Sequence, residues 1–354
     1  MVQSILQYFL CLTKGRRVKV KRIFNNKFIW VSCFVILLTI MGMFFFNNSS
    51  EEDDMVTVTD PNTFTYEISD KYLAVFSRLA YTMKVGEWQQ LADYKSDYDK
   101  QIIRMRNKSL ITEEQFNDLS SSWSVHNIFY DPNYSFEAIS FYNRSKNIMV
   151  LSYRGTEMGD KLDLGIDLFQ VFMGKNTVAA NLAKEAFEET YGELLDKKKR
   201  NIKFIVTGHS LGGALAQEVA LQYFDNKAVY QEIADMELVT FNSPGIANNR
   251  TDTYEVQEIA NHFKYYITSK TIKEKRLDPI SSFNYNELYF VKDENVNIIS
   301  LDEKQPTQTI GQFLVKNNLT KKQLTAKKNV IPFFLNPADM KSIHNISEIV
   351  KYME

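Results

Sequence analysis

Residues 202–216 read IKFIVTGHSLGGALA, and the way this stretch changes direction decides the fold. Residues 202–207 (IKFIVT) form a short apolar, β-branched run, the composition of a buried strand. Residues 214–224 (ALAQEVALQYF) return to apolar spacing at three and four, the period of a helix. Between them, Gly208-His209-Ser210-Leu211-Gly212-Gly213 fits the pattern Gly-x-Ser-x-Gly. A strand that turns sharply into a helix holds the serine at its apex in a strained backbone conformation. Glycines on both sides remove the Cβ atoms that would clash and let strand and helix approach. The helix start adds free N–H groups and a partial positive charge beside the serine. Ser210 is therefore the candidate nucleophile.

Working outward, a helix is expected near 69–83, with Leu73, Val75, Phe76, Leu79 and Ala80 at helical spacing. Strands are expected at 135–142 and 147–153, joined by the turn Asn143-Arg144-Ser145-Lys146. A long helix fits 178–198, a strand 237–242, a strand-like run 263–268 and a last helix 345–353. No repeat or low-complexity tract follows residue 60. Strands alternating with helices imply one α/β domain with a mainly parallel sheet, covered on both faces. Residues 285–340, which include LTKKQLTAKKN (319–329), match no pattern and are left as a possible cap or basic surface.

The charge balance is uneven. The chain of 354 residues has 42 Lys+Arg against 43 Asp+Glu, but residues 1–27 hold seven cations and no acid. The 308 residues after position 46 carry 35 basic against 43 acidic groups, a net of −8, which argues against binding a phosphate backbone. Nucleic acid is not expected as a partner. Phe28–Phe46 (FIWVSCFVILLTIMGMFFF) is 19 residues without a charge, nearly enough for a helix to cross a hydrocarbon layer of about 30 Å. Basic residues precede it and NNSSEEDD (47–54) follows, so the positive-inside rule keeps the N-terminus cytoplasmic and the rest outside. A cleaved signal peptide would have a shorter apolar run ending at small residues, whereas this one ends in three phenylalanines, so an uncleaved anchor is favoured. The expected divisions are a basic tail (1–27), a transmembrane anchor (28–46), a polar linker (47–60) and the α/β domain (61–354). Both cysteines, Cys11 and Cys33, lie at or before the anchor, so the outer domain has no disulfide. With abundant Lys, Asn, Ile and Tyr, this composition looks bacterial. The four histidines, 126, 209, 262 and 344, are scattered, and no metal site or cofactor is expected.

GHSLGGALA at 208–216, together with YRGT at 153–156, resembles the class 3 (fungal-type) lipases of the α/β-hydrolase fold. The resemblance extends loosely from about residue 66 to 349 and is specific at three or four short segments. It implies a serine esterase acting on lipid or other acyl esters, with the chain order serine, acid, histidine. His126 precedes the serine, and His209, inside the elbow, is expected to point away from the site. His262 and His344 remain, and the resemblance favours His344, in SIHN before the terminal helix. For the acid it implies an Asp-Pro after the strand following FNSPG, here Asp278-Pro279, although TIKEKRL (271–277) intervenes. Asp302 and Asp339 are the competitors. The oxyanion donors would be the backbone N–H of Leu211 and, by resemblance, Thr156. Residues 157–174 read either as an apolar flap over an acyl groove or as a half-buried helix, with Asp167 read as structural. An acyltransferase, in which an alcohol replaces water, and a catalytically silent binding module are the alternatives.

Overall fold

A computed structural model describes residues 68–83, 91–134, 136–155, 178–197, 199–245, 261–270, 276–278, 280–281, 293–301, 306–318, 320 and 343–353. All belong to the unit Phe64–Glu354. The anchor at 28–46, Thr156, the stretch 157–174, Asp302 and Asp339 lie outside the described residues. Among the described residues, no helix is long and apolar enough to cross a membrane.

The helices α1 (Asp70–Thr82), α2 (Leu91–Asn107) and α3 (Glu113–Ser122) lead into a nine-stranded sheet. Its strands are β1 (Trp123–Asp131), β2 (Phe136–Asn143), β3 (Ile148–Tyr153), β4 (Ile202–His209), β5 (Ile233–Phe241), β6 (Phe263–Lys270), β7 (Arg276–Leu277), β8 (Val296–Ser300) and β9 (Gln308–Thr309). The other α-helices among the described residues are α4 (Val178–Asp196), α5 (Leu211–Asp225), α6 (Ile310–Asn317) and α7 (Ile346–Tyr352). Spatial order is β1-β2-β3-β4-β5-β6-β8-β9, with β7 folded back on β6. The pairs β3–β4, β4–β5, β5–β6 and β6–β8 are parallel, and the outer pairs are antiparallel. The sheet is thus parallel at its centre and mixed overall.

Alternation along the strands sorts the core into two layers. Phe204, Val206, Leu238, Tyr265 and Ile267 face the layer that holds α4, α5 and α6. Ile205, Val239, Phe241 and Tyr266 face the opposite layer with α1, α2, α3 and α7. Every residue of β2, β3 and β4 is buried, as expected where helices cover both faces of parallel strands.

The expected elements around the elbow are present. Helix α1 starts at a Ser69 cap whose side chain accepts from the Lys71 N–H, and the hairpin turn is held by Asn143 Oδ1, which accepts from the Lys146 N–H at 3.0 Å. Helix α5 begins earlier than its apolar period suggests, at Leu211, because the glycines of the elbow are already helical. The elements that escaped the sequence reading are α2, α3, β1, β7 and, within 285–340, β8, β9 and α6. Helix α2 is strongly polar, and β1 is only partly buried along most of its length, so neither shows a sharp apolar period.

Candidate active site

The C-terminal ends of β4, β5 and β6 open onto one region. At the end of β4 the chain reverses at Ser210, whose φ of 59° and ψ of −131° lie in a region that L residues rarely occupy. The turn holds because neighbours overdetermine it. Ser210 N–H donates to the Phe241 carbonyl at 3.0 Å, and its own carbonyl accepts from Gly213 N–H at 3.0 Å. A Cβ at Gly208 would lie 2.3 Å from the Gly212 carbonyl carbon, and one at Gly212 would lie 2.1 Å from the Tyr153 oxygen. Both glycines are therefore required by close approach, as the motif demands. Leu211 is the first residue of α5, so its N–H has no acceptor inside the helix.

Asp278 follows β7, which pairs antiparallel with the end of β6, with Ser269 opposite Leu277 and Lys270 opposite Arg276. That pairing returns Asp278 to the end of β6, where its N–H donates to the Thr268 carbonyl at 2.8 Å. Its side chain is fully buried. Oδ1 accepts from His344 Nδ1 at 2.7 Å, while Oδ2 accepts from the Ser281 N–H at 2.8 Å and the Ser281 hydroxyl at 2.9 Å. Since a carboxylate only accepts, the proton lies on His344 Nδ1, which leaves Nε2 as the free base of the neutral ring. His344 Nε2 and Ser210 Oγ are both buried, and neither has a hydrogen-bond partner. The two are not bonded to each other, a looseness common in catalytic pairs without substrate.

His209 does not point away from this region, contrary to expectation. Its ring packs on His344, with centroids 4.6 Å apart and planes at 40°. Tyr81 on α1 holds it from the other side: its hydroxyl donates to the His209 carbonyl at 3.1 Å and lies 3.0 Å from Nδ1. Burial, and then the charge that His344 can carry, hold the His209 imidazole well below its ordinary pKa, so it stays neutral beside the pair. The expectation failed because neighbour alternation describes a straight strand, and the strand ends at this residue. Tyr81 carries no local signal in the sequence, since its partner is 128 residues away. Ser281 was findable: in Asp278-Pro-Ile-Ser281 the carboxylate caps the N–H three residues on.

Gly155 presses the end of β3 against the elbow, where a Cβ would meet Tyr81 Oη at 2.3 Å and the His209 oxygen at 2.5 Å. Arg154, just before it, is ion-paired with Glu137. Thr156 is next in the chain but lies outside the described residues. His262, the rival histidine, is elsewhere: it precedes β6 at the opposite end of the strands and pairs with Asp235 at 3.1 Å.

The family model for class 3 lipases matches residues 114–271. That span runs from α3 through β6 and includes the elbow; Asp278 and His344 lie beyond it. No curated protein matches the chain by sequence. Among solved structures, the Lip2 lipase of Yarrowia lipolytica is similar over 77% of this chain and 91% of its own, at 13% identity and a TM-score of 0.46. A lipase of Rhizopus microsporus var. chinensis is similar over 73% and 88%, at 15% identity and a TM-score of 0.41. With TM-scores under 0.5, neither likeness adds weight to the reading of the site.

Proposed function

We propose that the chain is a serine carboxylic-ester hydrolase acting on lipid esters, a lipase or phospholipase A-type enzyme. The observation that carries this reading is the Ser210 elbow, left-handed and buried, at the strand end where the His344–Asp278 pair also arrives. The match of residues 114–271 to the class 3 lipase model supports the acyl-ester class.

In this mechanism His344 Nε2 takes the Ser210 proton as Oγ attacks the acyl carbonyl. Asp278 holds the imidazole in the Nδ1–H tautomer and stabilises the cation that forms. The Leu211 N–H, with Thr156 as its proposed second donor, receives the oxyanion, a role worth roughly 10²–10³ in rate per donor. The imidazolium returns the proton to the leaving alcohol, and a water activated by the same base releases the acyl group. Burial of all three side chains strengthens each of these charge interactions.

The apolar segment 28–46 and the basic tail before it support a single-pass anchor with the catalytic domain outside the cytoplasmic membrane. That position would present the site to bilayer lipids, and the cysteine-free outer domain fits a bacterial exported protein. The test is hydrolysis of butyrate and palmitate esters by the full chain in detergent, below and above substrate aggregation, beside Ser210→Ala. Serine-dependent turnover that rises with long-chain aggregates is the expected result, and unchanged turnover in Ser210→Ala would remove the mechanism. Products formed with added alcohols distinguish transfer from hydrolysis, and failure of a serine-reactive phosphonate to label the chain would favour the silent module.

A further inference from the structure

We propose that Thr268 and Asn242 form a buried brace that positions the acid and the base of the triad together, resting on the hydrolase reading above. Thr268 lies near the end of β6 and Asn242 immediately after β5, and both are fully buried. The Thr268 carbonyl accepts the Asp278 N–H at 2.8 Å, which seats the acid. The Thr268 hydroxyl donates to the carbonyl of Ile343 at 2.7 Å, the residue directly before His344, which seats the base. One residue therefore bonds to both catalytic loops, which are otherwise 66 positions apart in the chain.

Asn242 completes the arrangement. Its Oδ1 accepts the Thr268 N–H at 2.8 Å, which fixes the orientation of the amide. The amide nitrogen then donates to Thr268 Oγ1 at 2.9 Å and to the Ile343 carbonyl at 3.2 Å. Every donor in the group has an acceptor: the hydroxyl proton goes to Ile343, and the hydroxyl lone pair takes the amide. Asn242 has a φ of 46°, a left-handed conformation that asparagine tolerates better than most residues. A glycine would satisfy that backbone at least as well, so the side chain is needed for its bonds and not for the turn. A network that is fully satisfied in a low dielectric fixes geometry tightly, and a misplacement near 1 Å at a reacting pair costs roughly 10²-fold in rate. Neither residue touches the reacting atoms, so both are positioning residues.

The experiment compares Thr268→Val, Thr268→Ser and Asn242→Gly in the full chain, reading kcat and KM on a soluble ester and the downfield imidazole proton of His344 by NMR. Asp278→Asn assigns that resonance. Thr268→Val removes the hydroxyl at nearly constant volume, and Asn242→Gly removes the amide without straining the backbone. We expect both to lower kcat by roughly tenfold to a hundredfold with KM within about threefold, and to weaken or abolish the resonance. Thr268→Ser, which keeps the hydroxyl, should restore both readouts. Wild-type kcat and resonance in Thr268→Val would overturn the brace, and so would a loss in Thr268→Ser as deep as that in Thr268→Val. If Thr268→Val does not fold, Asn242→Gly and Thr268→Ser decide by the same criteria. If the wild type hydrolyses no ester, the hydrolase reading fails, and the resonance in the same variants decides the brace.

Discussion

The domain holds two His–Asp pairs, one at each end of the central strands, and they are built for different purposes. At the C-terminal ends, His344 and Asp278 meet at 2.7 Å with side chains 1% and 0% exposed. At the N-terminal ends, His262 and Asp235 meet at 3.1 Å with side chains 32% and 20% exposed. Asp278 offers its second oxygen to the two neutral donors of Ser281, and His344 packs on His209, the residue before the serine of the strained turn. Asp235 instead shares its charge with Lys203, 3.7 Å away, which is itself bonded to Glu237 at 2.6 Å. Burial raises the Asp235 pKa, but the hydrogen bond and charge of His262 and the Lys203 ammonium outweigh it, and the net shift is downward. The lower cluster neutralises a buried lysine between β4 and β5. Contact between a histidine and an aspartate is common to both ends; the strained serine and the dry surroundings belong to one.

The strongest way to break this contrast is to neutralise each acid in turn. Asp278→Asn should lower kcat by roughly 10³–10⁴-fold while Asp235→Asn leaves it within about twofold, measured per folded molecule. Comparable losses in both would mean that the lower pair also serves the chemistry. Next in size, Lys203→Met should lower unfolding stability by about 2 kcal/mol in urea titrations, since it takes the partner from Glu237 and leaves Asp235 with His262 alone, with kcat retained.

His209 sharpens the upper end of the comparison. Its folded pKa lies below the ordinary 6.5, so the unfolded chain binds a proton that the folded one refuses. Its contribution to stability is complete above that value and is lost as pH falls from about 6.5 towards the folded pKa. The slope from this one group approaches 1.4 kcal/mol per pH unit. His209→Gln should therefore flatten the fall in thermal stability between pH 6.5 and 5, leaving the part due to His126, whose pKa is also lowered, mainly by burial. The smallest effect belongs to Asp235. Its lowered pKa contributes stability that is present above the unfolded value of 3.8 and lost as pH falls through the folded one. Asp235→Asn should cost about 1 kcal/mol at pH 7, with the gap to wild type closing on acidification below 3.8.

Much of the scaffold was legible in the chain. The elbow was readable because its requirements are local: a β-branched strand, two glycines where backbones touch, and a helix start within six residues. The buried central strands and the helices α1, α4, α5 and α7 were readable because burial on one or both faces imposes a short period. Helix α2 and strand β1 were not, since polar or half-exposed surfaces impose none.

What the sequence determined by itself is therefore the strained turn at Ser210 and the alternating order of strands and helices, all properties of neighbours within a few residues. Which of two histidines lies at the end of the strands that carries Ser210 was a matter for tertiary structure. His262 and His344 both follow the serine in the chain, and each has a carboxylate partner. Parallel strands separate them, because one precedes β6 and the other arrives at the strands' far ends. The turn of His209 onto His344 and the brace of Thr268 and Asn242 join residues dozens of positions apart. Such contacts exist only once the sheet has set which strand ends lie together, and no local pattern encodes them.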